Sequence, residues 1–137
     1  MLEKIIWKSD YRIGLEDIDF QHQYFVSLIN RLIDELIESK EEYYRGRLLE
    51  ELSLYASFHF ISEENRMIRC NYPHLEEHKD LHRKLMNQLN DNINYFKMSK
   101  VTQEEVIDFL SEWFIHHTTE HDMNFGIYCN RTNQNVK

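Results

Sequence analysis

The side chains in this sequence best equipped to act together are histidines and carboxylates. His59 and Glu63 lie four apart, as do His78 and His82, and the second pair begins fifteen residues after Glu63. Positions four apart on an α-helix project to the same side, so each pair offers two metal-ligating atoms from one face. Two such pairs on neighbouring helices outline a metal site. His22 and His117 extend the set if their helices bring them to the same depth.

Positioning these groups takes helices, and the composition is helical. Of 137 residues, 42% are hydrophobic and 29% charged, with three Gly and one Pro, too few for a turn-rich β architecture. The length suits one domain with a real core. Residues 1–16 show no sustained helical period and are separated by Gly14 from the helical stretch beyond, so they read as an extended arm anchored by Ile5, Trp7 and Ile13. His22, Phe25, Ile29, Leu32 and Leu36 then recur at steps of three and four, predicting a helix over about 19–39. A second seam, Leu52, His59, Glu63 and Met67, predicts a helix over 41–69, and Asn71-Tyr72-Pro73 breaks it. His78, His82, Leu85 and Leu89 give a third helix over 74–97. Thr102 and Glu105 form a capping box for a fourth, which carries Val106, Leu110, Trp113 and His117 over 103–128 and leaves a loose polar tail from Asn130. Short links between four amphipathic helices predict an all-α, antiparallel up-down-up-down four-helix bundle, one domain over 1–137.

His22, His59, His78, His82 and His117 each replace an apolar residue in a buried seam. Burying five imidazoles and a carboxylate without partners would cost about 1–3 kcal/mol each, which together rivals the stability of a domain. In an up-down-up-down bundle the start of the first helix, the end of the second, the start of the third and the end of the fourth share one end. At about 1.5 Å per residue, all these groups fall within roughly 5–15 Å of that end. More than four nitrogen and oxygen candidates without a thiolate do not fit a closed structural zinc site. They suit iron, and two ions better than one. A second bridging carboxylate is then needed beside Glu63. Asp122 lies five residues from His117, about 140° round a straight helix, so it joins only through a tightened or π-type turn. His121, at four, fits a regular helix and is the rival.

The chain resembles the hemerythrin family, in its single-domain bacterial type. The resemblance rests on Trp7, Ile18-Asp19-Phe20-Gln21-His22, Tyr55 to Glu64 with its His-Phe-x-x-Glu-Glu, Tyr72-Pro73, His78-x-x-x-His82, and Trp113-x-x-x-His117-x-x-x-x-Asp122. It implies a non-heme di-iron centre with His78, His82 and His117 on one iron and His22 and His59 on the other. Glu63 and Asp122 would bridge them with an oxo or hydroxo group, and Asp122 takes precedence over His121. The second iron would keep a position open where dioxygen binds end-on and leaves unchanged. Phe60, Trp113, Phe114 and Thr118 would line that pocket. Phe114 and Thr118 stand where the family usually has Leu and Ile, and the Thr118 hydroxyl either faces the pocket or bonds its own helix carbonyl. His74 and His116 are expected on polar faces, and Glu64 as a solvated charge or an acceptor for a ligating imidazole.

The function this implies is a dioxygen carrier or store that serves oxygen-using enzymes such as an oxidase, with no catalysis of its own. A sensing module, or a di-iron peroxidase or nitric oxide scavenger, are the other uses of such a centre. The net charge of -8 argues against nucleic acid and anionic membranes. No apolar run approaches the ~20 residues of a membrane span, and Met1–Trp7 lacks the form of a signal peptide. Cys70 and Cys129 form no C-x-x-C pair and read as reduced thiols. A monomer in the cytoplasm is expected.

Overall fold

The computed structural model describes the backbone of residues 4–135, and the side chains of that span except those of 119–120 and 132–135. Its helices are α1 (Glu16–Glu38), α2 (Glu42–Arg69), α3 (Leu75–Lys97), α4 (Gln103–His116) and α5 (Asp122–Asn135), the last two joined without a break by a π turn, His117–His121. Each helix packs on its neighbour in sequence and α4 closes the ring on α1, so α4, the π turn and α5 act as the fourth rod of a four-helix bundle.

The connections follow from local chemistry. Asn71 takes a left-handed φ of 56° after α2, Tyr72 N–H donates to Met67 O (2.9 Å) and Asn71 N–H to Ile68 O (3.2 Å). This closing motif satisfies carbonyls the helix end leaves open, and Pro73 prevents the helix from resuming. Ser99 ends α3 the same way, with Lys100 N–H on Tyr95 O at 2.7 Å. The predicted capping box opens α4, Glu105 N–H donating to the Thr102 hydroxyl at 3.1 Å. Helix α1 begins at Glu16 rather than Asp19. Its acidic first turn complements the helix dipole, and Asp19 turns back to accept from Ile13 N–H (2.7 Å) and Gly14 N–H (3.1 Å).

The arm lies along the bundle as expected. Ile5 exchanges two 2.8 Å hydrogen bonds with the Asn30 side chain, and Ile13 crosses α5 at Gly126, where a Cβ would stand 2.2 Å from the Ile13 carbonyl oxygen. Residues 1–3 lie outside the described residues.

Two expectations are corrected. Cys70 and Cys129 are joined in a disulfide; they are 59 residues apart in sequence, and only the packing of α5 on the α2–α3 corner makes them neighbours. Helix α5 also continues to Asn135, past the predicted end at 128, because Phe125 and Cys129 bury a further turn against that corner. Residues 136–137 of the expected loose tail lie outside the described residues. The large apolar core fills the middle of the bundle, and a smaller one, with Ile18, Met67, Tyr72 and Phe125, closes one end. No helix among the described residues is long and apolar enough to cross a membrane.

Candidate metal centre

Five imidazoles and two carboxylates meet near one end of the bundle, every one of them buried. His22 comes from α1, His59 and Glu63 from α2, His78 and His82 from α3, His117 from the π turn and Asp122 from the first turn of α5. They form two overlapping groups, Glu63, His78, His82, His117 and Asp122 in one, His22, His59, Glu63 and Asp122 in the other, with the donor atoms of each group within 4.8 Å of one another.

The two carboxylates divide their oxygens between the groups. Glu63 Oε1 lies 3.1 Å from His82 Nε2 and 3.5 Å from His117 Nε2, whereas its Oε2 lies 3.3 Å from His22 Nε2 and 3.5 Å from His59 Nε2. Asp122 Oδ1 is 3.1 Å from both His78 Nε2 and His117 Nε2, and its Oδ2 is 3.1 Å from His22 Nε2. Two carboxylates reaching two sets of nitrogens in this way are placed to bridge a pair of cations. The π turn brings Asp122 in: the extra residue it takes up rotates Asp122 back over His117. His121 stays outside the cluster, half-buried, with its ring 5.9 Å from that of His117. His74 pairs with Glu77 at the surface (3.0 Å), and His116 is exposed.

The polar atoms fit a metal better than they fit one another. His22 Nε2, His59 Nε2, His82 Nε2, Glu63 Oε2 and Asp122 Oδ2 are fully buried without a hydrogen-bond partner among the described residues, an arrangement that is costly unless something satisfies them. Without a cation, protons take that role in part. Burial alone would push the His22 imidazole down, but the Asp122 and Glu63 carboxylates outweigh it and raise it to about 9. The same balance raises His117 to about 10. At His59 burial wins and the pKa falls. Burial would raise Glu63 and Asp122, yet the surrounding imidazoles hold both below the ordinary carboxylate range.

Two imidazoles are oriented from behind. His82 Nδ1–H donates to Glu64 Oε2 at 2.7 Å and His59 Nδ1–H to Gln21 Oε1 at 2.8 Å, leaving each Nε2 facing the centre. Glu64 is the acceptor the sequence offered as one of two readings. Gln21 carried no assigned role, although it precedes His22 directly. Tyr55 supports it, donating its hydroxyl to Gln21 O at 2.8 Å.

The surrounding shell is aromatic. Phe60 stacks on His82 at 4.2 Å, Phe114 meets His22 edge-on at 6.0 Å, and Phe25 stands 5.7 Å from His59 and 5.1 Å from Phe114. Sequence reasoning placed Phe25 in the core seam and missed it as a wall of the site. Trp113 forms an outer layer, packed on Phe25 and Phe60 with its Nε1–H donating to Leu85 O at 3.0 Å. Thr118 is buried, and its hydroxyl has no hydrogen-bond partner among the described residues, so it makes no bond to its own helix carbonyl.

Residues 13–126 match the model of the hemerythrin HHE cation binding domain. The chain belongs to the hemerythrin family. It is 28% identical over 121 residues to a bacteriohemerythrin of Pseudomonas aeruginosa (strain LESB58), covering 88% of this chain and 78% of that protein. To the bacteriohemerythrin of Clostridium acetobutylicum it is 26% identical, over 88% of this chain and 97% of the relative. Hemerythrin subunit beta of Lingula anatina is 29% identical over 87% and 90% of the two chains. The fold matches a crystal structure of wild-type hemerythrin with a TM-score of 0.82, at 23% identity, over 93% of this chain and 98% of that one. The hemerythrin fold thus holds here at low sequence identity, with Phe114 and Thr118 buried in it.

Proposed function

We propose that this hemerythrin-family chain holds two iron ions between His78, His82 and His117 on one side and His22 and His59 on the other, bridged by Glu63 and Asp122, and binds dioxygen reversibly. The observation that carries the reading is the unequal division of donors, five in one group and four in the other, with both carboxylates shared. If a solvent-derived oxygen also bridges, five donors complete a six-coordinate ion and four leave a position open on the His22–His59 side. Two ferrous ions there would supply the electrons and the open coordination position that reversible dioxygen binding requires.

The protein's own part is to hold and to exclude. Glu64 and Gln21 fix two imidazoles, and the carboxylates offset the repulsion between two cations. Phe25, Phe60 and Phe114 keep bulk water from the open side, which limits proton delivery and loss of the bound gas. The role that fits is a carrier or store serving an oxygen-using enzyme such as an oxidase. The unpartnered Thr118 hydroxyl favours one second reading, a di-iron peroxidase or nitric oxide scavenger, because a donor beside the open side could assist proton transfer.

An optical spectrum separates these. The reduced, iron-loaded protein should gain a visible band in air, lose it under vacuum and regain it over repeated cycles. A band that fails to reverse, or turnover of hydrogen peroxide in its place, would remove the carrier reading.

A further inference from the structure

Helix α2 is apolar on two opposite faces. Leu52, Ala56, His59, Glu63 and Met67 turn inward. At about 100° per residue, Leu54, Phe58, Ile61, Asn65 and Ile68 fall within an arc of about 80° on the reverse side. They succeed one another at steps of four, three, four and three, which are the d and a positions of a heptad seam. Leu54 (70%), Phe58 (56%), Ile61 (55%) and Ile68 (57%) are nevertheless mostly exposed. Tyr24 of α1, also more than half exposed, flanks this face, reaching it through Tyr55 at 5.1 Å, with Tyr55 in turn 5.9 Å from Phe58.

We propose that the outer face of α2 is a dimer interface, on which α2 of a second copy packs antiparallel about a two-fold axis midway between Phe58 and Ile61. In that register each a position faces a d position of the other copy: Phe58 faces Ile61, and Leu54 faces Asn65. The ends agree in charge. Glu51 and Arg69 lie on the same edge of the face, and the two-fold brings Arg69 of one copy level with Glu51 of the other. Arg69 is exposed and has no ion-pair partner among the described residues. Glu51 already holds Arg31, and a carboxylate accepts from two guanidinium groups. A parallel pair would put Arg69 and Glu51 of the two copies at opposite ends of the face, so that neither meets its complement. An anionic bilayer is a poorer partner for a chain of net charge -8 whose apolar face is bordered by Glu50 and Glu51. The dimer replaces the monomer expected from sequence, and it stands independently of which gas the metal centre binds.

Sedimentation equilibrium of the full, iron-loaded chain from low to high micromolar concentration tests this. The expected mass is twice the 16.9 kDa of one chain. Phe58→Glu and Ile61→Glu should each weaken dimerisation at least about 30-fold, with iron content and helical circular dichroism unchanged. Leu54→Ser is the milder variant if either glutamate disturbs the fold. Chains carrying Phe58→Cys should cross-link to chains carrying Ile61→Cys faster than either does to itself. A wild-type chain that stays monomeric throughout, whether or not it binds phosphatidylglycerol vesicles, overturns the proposal. So does a dimer that survives both glutamates, or fastest cross-linking of the Phe58→Cys chain to itself.

Discussion

Glu64 shows how one side chain outside the metal's reach can govern the site. Its carboxylate fixes the His82 ring, so Glu64→Ala should weaken metal binding about 10–100-fold with the fold intact, read by titration with ferrous iron under anaerobic conditions. An unchanged affinity would mean that the Phe60 stack alone orients His82. Thr118 tests the pocket itself. Were Thr118 to line the proposed oxygen pocket, its hydroxyl would offer a proton or admit water, whereas an isoleucine there would be dry. Thr118→Ile should therefore slow autoxidation several-fold, followed as the decay rate of the oxygen-dependent band. The same rate in both proteins would show that the hydroxyl takes no part.

At the scale of the element, the rod formed by α4, the π turn and α5 does most to build the site. Without the π turn, Asp122 would face away and His121 would take its angular place. The rod's far end is held by the Cys70–Cys129 bond to the end of α2, the helix that also supplies Glu63. A bond closing so long a loop stabilises by about 2–4 kcal/mol. Cys129→Ser should lower the melting temperature by on the order of 10 °C, and reductant should lower the wild-type value similarly while leaving the variant unmoved. Equal melting of the two proteins would show that packing of Phe125 and Tyr72 suffices.

For the whole molecule, a buried cluster of charge lies between two apolar cores, and protons and metal compete for it. His22 and His117, raised to about 9 and about 10, stay protonated in the metal-free fold near neutrality. Their contribution to its stability is fully present below about pH 6.5 and is lost as pH rises through 9 to 10. Metal must displace those protons. Between about pH 6.5 and 9, metal-free protein should therefore melt progressively lower while metal affinity climbs, by up to two proton equivalents. Calorimetry in buffers of differing ionisation enthalpy would count them, and release of no protons near neutral pH would contradict the account. Metal should raise the melting temperature markedly, because it binds the folded state and satisfies atoms that are otherwise buried without partners.

The sequence by itself determined the four-helix architecture, six of the seven grouped side chains and the end of the bundle where they gather. Each of these is written in a local period: a histidine at a seam position is inward-facing wherever the helix lies, and capping box and proline mark the ends. Only the tertiary structure decided the rest. Spacing alone favoured His121 and the family resemblance favoured Asp122; the π turn is what physically brings Asp122 into the cluster. Gln21 and Glu64 became acceptors, Phe25 became a wall and Cys70 met Cys129 because of how neighbouring helices are rotated and offset. Those contacts join residues far apart in the chain, and no repeat within a single helix records the register between two.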